Sequence, residues 1–175
     1  MSMPIARVNE LDCEEFVQIF GNAVEHCSIC AAAVWRHSPF NDVYQIYNKT
    51  AEFLDQLPIS GKEAVLRLHP DLAGKLAISG RLTNESSREQ TLSGMLALSE
   101  TEKEMLERLN TSYKSKFKFP FVICVRENKK KAIFDGIRAR LANTPEEETL
   151  VGLEEVKKIC RLRLLDIVDP GCPKL

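Results

Sequence analysis

Apolar residues recur along this chain at helical spacing. Phe16, Phe20, Ala23, Val24 and Cys27 stand at i, i+4, i+7, i+8 and i+11, the period of a helix with one buried stripe. This predicts a helix over 12–26, with Asn9 or Asp12 as its cap. Gly21-Asn22 weakens its interior, so it bends or stops early there. Ala31-Ala32-Ala33-Val34-Trp35 then marks a small-residue helix over 28–37. Ser38-Pro39-Phe40-Asn41-Asp42 is a turn ending in a cap. A helix from about Val43 to Leu57 follows, with Val43, Ile46, Tyr47, Phe53 and Leu57 inward, and Pro58 stops it. Ser60-Gly61-Lys62-Glu63 has capping-box spacing and starts a short helix into His69. Asp71 to Ile78 reads as another short helix closed by Ser79-Gly80.

Thr83 or Asn84 opens the next helix, with Leu92, Met95 and Leu96 facing inward. Ser99-Glu100-Thr101-Glu102 opens a long one carrying Met105, Leu106, Leu109 and Tyr113. Phe119 to Val125 is a seven-residue apolar run with no strand partner elsewhere, so it reads as a buried loop or a helical turn. Lys129-Lys130-Lys131 is a solvated helix start or loop rather than a phosphate site. The last helix runs from about Pro145 to Val168, with proline and the acids Glu146-Glu147-Glu148 in a first turn that favours them. Leu153, Val156, Cys160 and Ile167 form its stripe, and residues from Pro170 onward are a tail. The result is an all-α class, a single compact domain over 1–175 with about eight helices and short loops.

Bulk properties narrow the function. With 175 residues, 44% hydrophobic and 28% charged, the chain has ample material for a core. A formal net charge of −1 gives no basic field for nucleic acid. No run reaches the roughly 18 apolar residues of a membrane span, and the first residues lack a secretory pattern. The six cysteines, at positions 13, 27, 30, 124, 160 and 172, read as reduced and mostly buried thiols of an intracellular protein. His26-Cys27-Ser28-Ile29-Cys30 lacks the second ligand pair that zinc needs and the βαβ context of a redox motif, so no metal is expected. No glycine-rich phosphate loop, nucleophile elbow or dinucleotide fingerprint occurs.

Three polar positions invite chemistry. His69, one of three histidines, precedes a proline between two helical segments. Proline disfavours α geometry in the residue before it, and Pro70 can serve as the first residue of a following helix. The junction either aims an imidazole that moves protons near neutral pH or is a turn with an exposed histidine. Glu89 shares the inward face of Leu92 and Leu96, so it belongs to a pocket, is paired, or is a solvated first-turn acid. Arg163 interrupts the stripe Val156, Cys160, Ile167 and must find an anion or an opening to water; an ion pair would satisfy it equally. The first amides of the helix near Glu85 are open to an anion, with the hydroxyls of Ser86 and Ser87 beside them.

His69-Pro70-Asp71-Leu72-Ala73-Gly74, Glu85-Ser86-Ser87-Arg88-Glu89-Gln90, Phe119-Pro120-Phe121-Val122-Ile123 and Glu155-Val156-Lys157-Lys158-Ile159-Cys160 with Leu162-Arg163-Leu164 follow one another in this order. In this the chain resembles the OHCU decarboxylases, the 2-oxo-4-hydroxy-4-carboxy-5-ureidoimidazoline decarboxylases of uric acid breakdown. Phe20-Gly21-Asn22-Ala23 and Ala31-Ala32-Ala33-Val34-Trp35 extend the resemblance from about Asn9 to Ile167. It implies a cofactor-free, all-α homodimer, often peroxisomal, that yields S-allantoin from a small anionic ureidoimidazoline with His69 as proton donor. The substrate's conjugated ring takes the electrons, so positioning and fixed electrostatics are the main levers. Glu89 would hydrogen-bond the ring hydroxyl or hold His69 in its working state, and Arg163 would clamp an anionic group. Pro70, Ser86, Ser87, Arg88 and Gln90 would contact polar substrate edges. Phe121, Val122, Ile123, Cys124 and Val125 would supply an apolar wall and backbone hydrogen bonds.

The chain departs from the family at Lys118, where glycine is more frequent, and at Val125, where a smaller residue is usual; position 87 varies in kind. Pro173-Lys174-Leu175 approximates the Ser-Lys-Leu peroxisomal address that an import receptor reads, with proline in place of the small residue. The alternative is a non-catalytic helical binding or scaffold protein, in which Glu89 and Arg163 are exposed or paired with each other.

Overall fold

The computed structural model describes residues 2–74, 79–95 and 97–170. Among these, nine helices form: α1 (Ile5–Val8), α2 (Cys13–Phe20), α3 (Ser28–Trp35), α4 (Val43–Gln56), α5 (Ile59–Arg67), α6 (Asn84–Leu92), α7 (Glu100–Phe117), α8 (Lys130–Arg140) and α9 (Pro145–Ile167). The only extended pairing among the described residues is a bridge between Met3 and Val168, so the class is all-α, as the periodicity implies. By contacts the chain divides into two compact units, one of residues 1–62 and 157–175, the other of residues 63–156.

In the first unit α2 starts at a complete capping box, Asp12 accepting from the Glu15 amide and Glu15 from the Asp12 amide. It ends at Phe20, with Gly21 as its C-cap, as the weak Gly21-Asn22 pair suggested. Phe16 stacks on Phe20 with centroids 4.3 Å apart and on Phe40 at 5.9 Å. Cys27, Cys30 and Cys160 are buried free thiols. Burial holds each of these thiols above the ordinary thiol range, so they stay protonated and unreactive at neutral pH.

In the second unit Tyr113, Phe117, Phe119 and Phe121 form one aromatic cluster, with Tyr113 at 4.6 Å from Phe117 and 5.2 Å from Phe121 between centroids. Phe119 to Val125 is buried and non-helical up to Cys124, the loop expected from the missing strand partner. Helix α9 comes close to α5: a Cβ added at Gly152 would lie 2.9 Å from the Leu66 side chain, which is fully buried. Leu66 is three residues ahead of His69 and accepts its amide at 3.2 Å. Glycine at 152 therefore sets how tightly the end of α5 is held.

Five sequence expectations need correction or extension. Helix α5 starts at Ile59, because the carbonyl of Pro58 accepts the amides of Gly61 and Lys62; Ser60 is thus inside the helix rather than its cap. Residues 71–74 form a turn, not the start of a helix, so Pro70 opens none there. Residues 75–78 of that expected helix, Leu96 and the Pro173-Lys174-Leu175 tail lie outside the described residues. Leu92 is 69% exposed, since α6 ends with it. Of the two readings of Lys129-Lys130-Lys131, the helix start holds: Lys130 opens α8, which buries Ile133, Phe134 and Ile137. Glu148 is one of the first-turn acids expected, and it is in addition fully buried.

Candidate active site

The end of α5 carries His69, 7% exposed. Its Nδ1 lies 3.1 Å from the carbonyl oxygen of Val65, four residues earlier. A carbonyl only accepts, so Nδ1 carries a hydrogen. This selects the tautomer in which Nε2 is the ring nitrogen without a hydrogen when the imidazole is neutral.

The turn after His69 is held residue by residue. Lys114 Nζ donates to Asp71 Oδ2 at 2.9 Å, Asn110 Nδ2 to the Leu72 carbonyl at 3.2 Å, and the Ala73 amide to Gln90 Oε1 at 2.9 Å. Ala73 has φ +47°, a left-handed conformation that residues with a side chain adopt only under constraint. The Ala73–Gln90 bond ties this turn to α6, whose Glu89 is 8% and Gln90 3% exposed.

Helix α6 starts as expected, with Thr83 as cap. Its first amides are not all open donors: Ser86 N–H goes to Thr83 Oγ1 at 3.2 Å and Ser87 N–H to the Thr83 carbonyl at 2.9 Å. Ser86 is buried, Ser87 half-buried and Arg88 exposed. Pro70 is half-buried beside His69.

The Phe121 to Val125 segment is buried along its whole length. Several of its backbone groups are already committed within the protein. Val122 O accepts from Arg140 Nη1 at 2.8 Å, the Cys124 amide donates to Glu155 Oε2 at 2.8 Å, and Cys124 O accepts from Asn128 Nδ2 at 3.0 Å. These bonds fix the course of the segment against α8 and α9. Arg140 anchors it further, its guanidinium 4.5 Å from the Phe121 ring centroid. Arg140 Nη2 lies 2.6 Å from Glu148 Oε1, Asn143 Nδ2 donates to Glu148 Oε2 at 2.7 Å, and Tyr113 Oη donates to the same carboxylate. Burial, reinforced by that carboxylate, raises the Tyr113 hydroxyl far above its usual range, so it remains a donor at every physiological pH.

Lys118, where the Phe119 segment begins, has φ +65° as the C-cap of α7, and its carbonyl accepts from Arg67 Nε at 3.2 Å. Glycine enters that region without steric cost. Lys118 therefore adopts, as a residue with a side chain, a conformation that glycine would take more easily.

Arg163 lies in the first unit, 3% exposed, with Nη1 at 2.6 Å from Glu25 Oε2 and 3.0 Å from the Asn22 carbonyl. This is the ion-pair alternative for a charge within an apolar stripe. Neither Glu89 nor Arg163 is exposed, which weakens the reading of a helical scaffold with solvated charges.

Sequence reasoning missed Asn110, Tyr113 as a hydrogen-bond donor, Arg140 and the burial of Glu148. Asn110 was visible in principle, because Leu106, Asn110, Tyr113 and Phe117 are one buried stripe with steps of four, three and four. A polar residue on such a stripe carries the same signal as Glu89 and Arg163.

The all-α chain thus carries a buried histidine at the end of α5 and a buried acid on the capped helix α6. The family model described as OHCU decarboxylase matches residues 9–165, and the chain belongs to the OHCU decarboxylase family. It is 47% identical over 171 residues to the 2-oxo-4-hydroxy-4-carboxy-5-ureidoimidazoline decarboxylase of Amia calva, covering 98% of this chain and 97% of that one. The corresponding protein of Xenopus laevis is 44% identical over 165 residues, covering 94% of each. In fold the chain is similar to the crystal structure of an (S)-allantoin synthase, with a TM-score of 0.76 and 23% identity, over 95% of this chain and 54% of that one.

Proposed function

We propose that this carboxy-lyase converts 2-oxo-4-hydroxy-4-carboxy-5-ureidoimidazoline to S-allantoin in uric acid degradation, with His69 as the general acid. The observation that carries the role of His69 is the 3.1 Å approach of Nδ1 to Val65 O on a buried ring. It fixes the ring plane and leaves proton transfer to Nε2.

The chemistry balances without an external electron sink. The bond from the ring to the carboxylate breaks, carbon dioxide leaves, and the electron pair enters the substrate's conjugated ring. The imidazolium then gives its Nε2 proton to one face of the carbanion equivalent, and water restores it. One proton is consumed per turnover. A buried histidine on a braced turn supplies that proton from a fixed direction, and positioning is the principal catalytic contribution.

Glu89 supports the histidine or holds the substrate hydroxyl. Glu89→Gln keeps the size and a hydrogen-bonding amide but removes the charge, and is expected to lower kcat by about 10²-fold, in the range for a charge-assisted catalytic contact. Carbon dioxide release from freshly generated substrate measures this. Release by the wild-type chain no faster than in buffer would sink the proposed activity, and wild-type kcat in Glu89→Gln would remove Glu89 from it.

Two finer readings go with the proposal: a homodimer, and peroxisomal import through Pro173-Lys174-Leu175. Sedimentation at twice the chain mass, and peroxisomal fluorescence of a reporter ending in those three residues, are the expected results. A monomer, or a diffuse reporter, would refute each in turn.

A further inference from the structure

We infer that Asn110 is a positioning residue for the decarboxylation, acting through the His69 turn. The inference rests on the role proposed for His69 and adds a residue outside the expected site.

Three side chains from two helices grip three successive residues just after His69-Pro70. Lys114 holds Asp71, Asn110 holds Leu72 and Gln90 holds Ala73. Asn110 and Lys114 are one helical turn apart on α7, so they present one face. The two grips differ in kind. Lys114 has a side chain 47% exposed and makes a solvent-screened ion pair. Asn110 is 8% exposed and bonds a backbone carbonyl.

The amide orientation follows from chemistry. Leu72 O only accepts, so Nδ2 must face it and Oδ1 is turned away. Oδ1 is buried with no hydrogen-bond partner in the structure. Burying an amide with one end unmatched is costly, and an apolar residue at this stripe position would avoid that cost. Retaining asparagine here is explained by its other end. The Leu72 carbonyl it holds is flanked by Ala73, whose φ of +47° would relax without restraint. Relaxation of a turn one proline away from His69 shifts the ring, and displacement on the order of 1 Å costs about 10²-fold in a positioned reaction.

The test is Asn110→Leu, which keeps the branched shape and removes the bond, compared with Asn110→Gln, which restores an amide donor on a longer arm. Expected for Asn110→Leu is a kcat fall of roughly ten- to a hundredfold with KM changed by less than about threefold, a displaced acidic or basic limb in the pH profile of kcat, and partial recovery in Asn110→Gln. If Asn110→Leu does not fold, Lys114→Gln, at a partly exposed site, is expected to lower kcat a few-fold with the same sign of pH displacement. Unchanged kcat and pH profile in a folded Asn110→Leu, or in Lys114→Gln when only that folds, overturns the inference.

Failure of the proposed activity itself is separated by ¹⁵N spectra of the histidine rings in wild type and Asn110→Leu. A His69 tautomer or shift altered by the substitution upholds the positioning role whatever the reaction. Superimposable His69 signals overturn it.

Discussion

His69→Asn is expected to lower kcat by about 10²–10⁴-fold, the range for loss of a general acid, while leaving the fold intact. The choice of asparagine follows from the geometry. Its Nδ2 can stand where His69 Nδ1 now lies, 3.1 Å from Val65 O, so the helix-end hydrogen bond survives. What disappears is Nε2, the atom assigned to proton delivery. Stability should therefore change by no more than about 1 kcal/mol, the net worth of an ordinary hydrogen bond. The circular dichroism melt and the rate of S-allantoin formation, measured on one preparation, check both halves. A folded His69→Asn with near-normal turnover would take the histidine out of the mechanism.

The largest effect on stability is expected at Arg140. Arg140→Met removes the cation beside Glu148, which is fully buried, and also the donor to Val122 O. Removing one partner of a buried ion pair costs about 3–5 kcal/mol, because the remaining charge is left uncompensated. For a chain of this size that corresponds to a fall in Tm of roughly 6–20 °C. Replacing both charges, as Arg140→Met with Glu148→Leu, should recover much of the loss, since apolar substitutes for a whole pair are often neutral. Tyr113 and Asn143 lose their acceptor in that double variant, so recovery is incomplete. Thermal unfolding of the two variants side by side decides the matter. A single variant melting within about 2 °C of wild type, less than about 1 kcal/mol for a chain of this length, would mean that the Arg140–Glu148 pair does not hold the Phe119–Val125 wall.

How much was legible in the sequence varies by element and for identifiable reasons. Helix α2 was readable because its stripe and its Asp12-Glu15 box agree, and it stops at Gly21 where the sequence is weakest. The three lysines left α8 open between a helix start and a loop, although Ile133 and Ile137 are four apart and both buried. Lys131 pairs within the helix with Asp135, whereas Lys130 reaches Glu102 on α7. The turn after His69 resisted prediction because side chains distant in sequence hold it: Gln90 is 17 residues from its partner and Asn110 is 38. Local propensity cannot report such bonds, and Pro70 therefore looked like a helix start. The burial of Glu148 was hidden for the same reason. Its sequence neighbours Glu146 and Glu147 are exposed acids, and only Arg140, Asn143 and Tyr113 explain its burial. Glu89 and Arg163 were identifiable because each is a charged residue on an apolar face where burial needs a reason, and His69 because it precedes a proline between two helical segments. The structure supplies that reason for Arg163 in Glu25 and for His69 in Val65.

The central claim is that this chain removes carbon dioxide from its substrate and returns a proton to one face. The most direct measurement follows the optical activity of allantoin formed when the wild-type chain meets freshly generated 2-oxo-4-hydroxy-4-carboxy-5-ureidoimidazoline. The account predicts S-allantoin as the sole enantiomer, at a rate proportional to the chain's concentration. Racemic allantoin, formed no faster than in buffer, would contradict it.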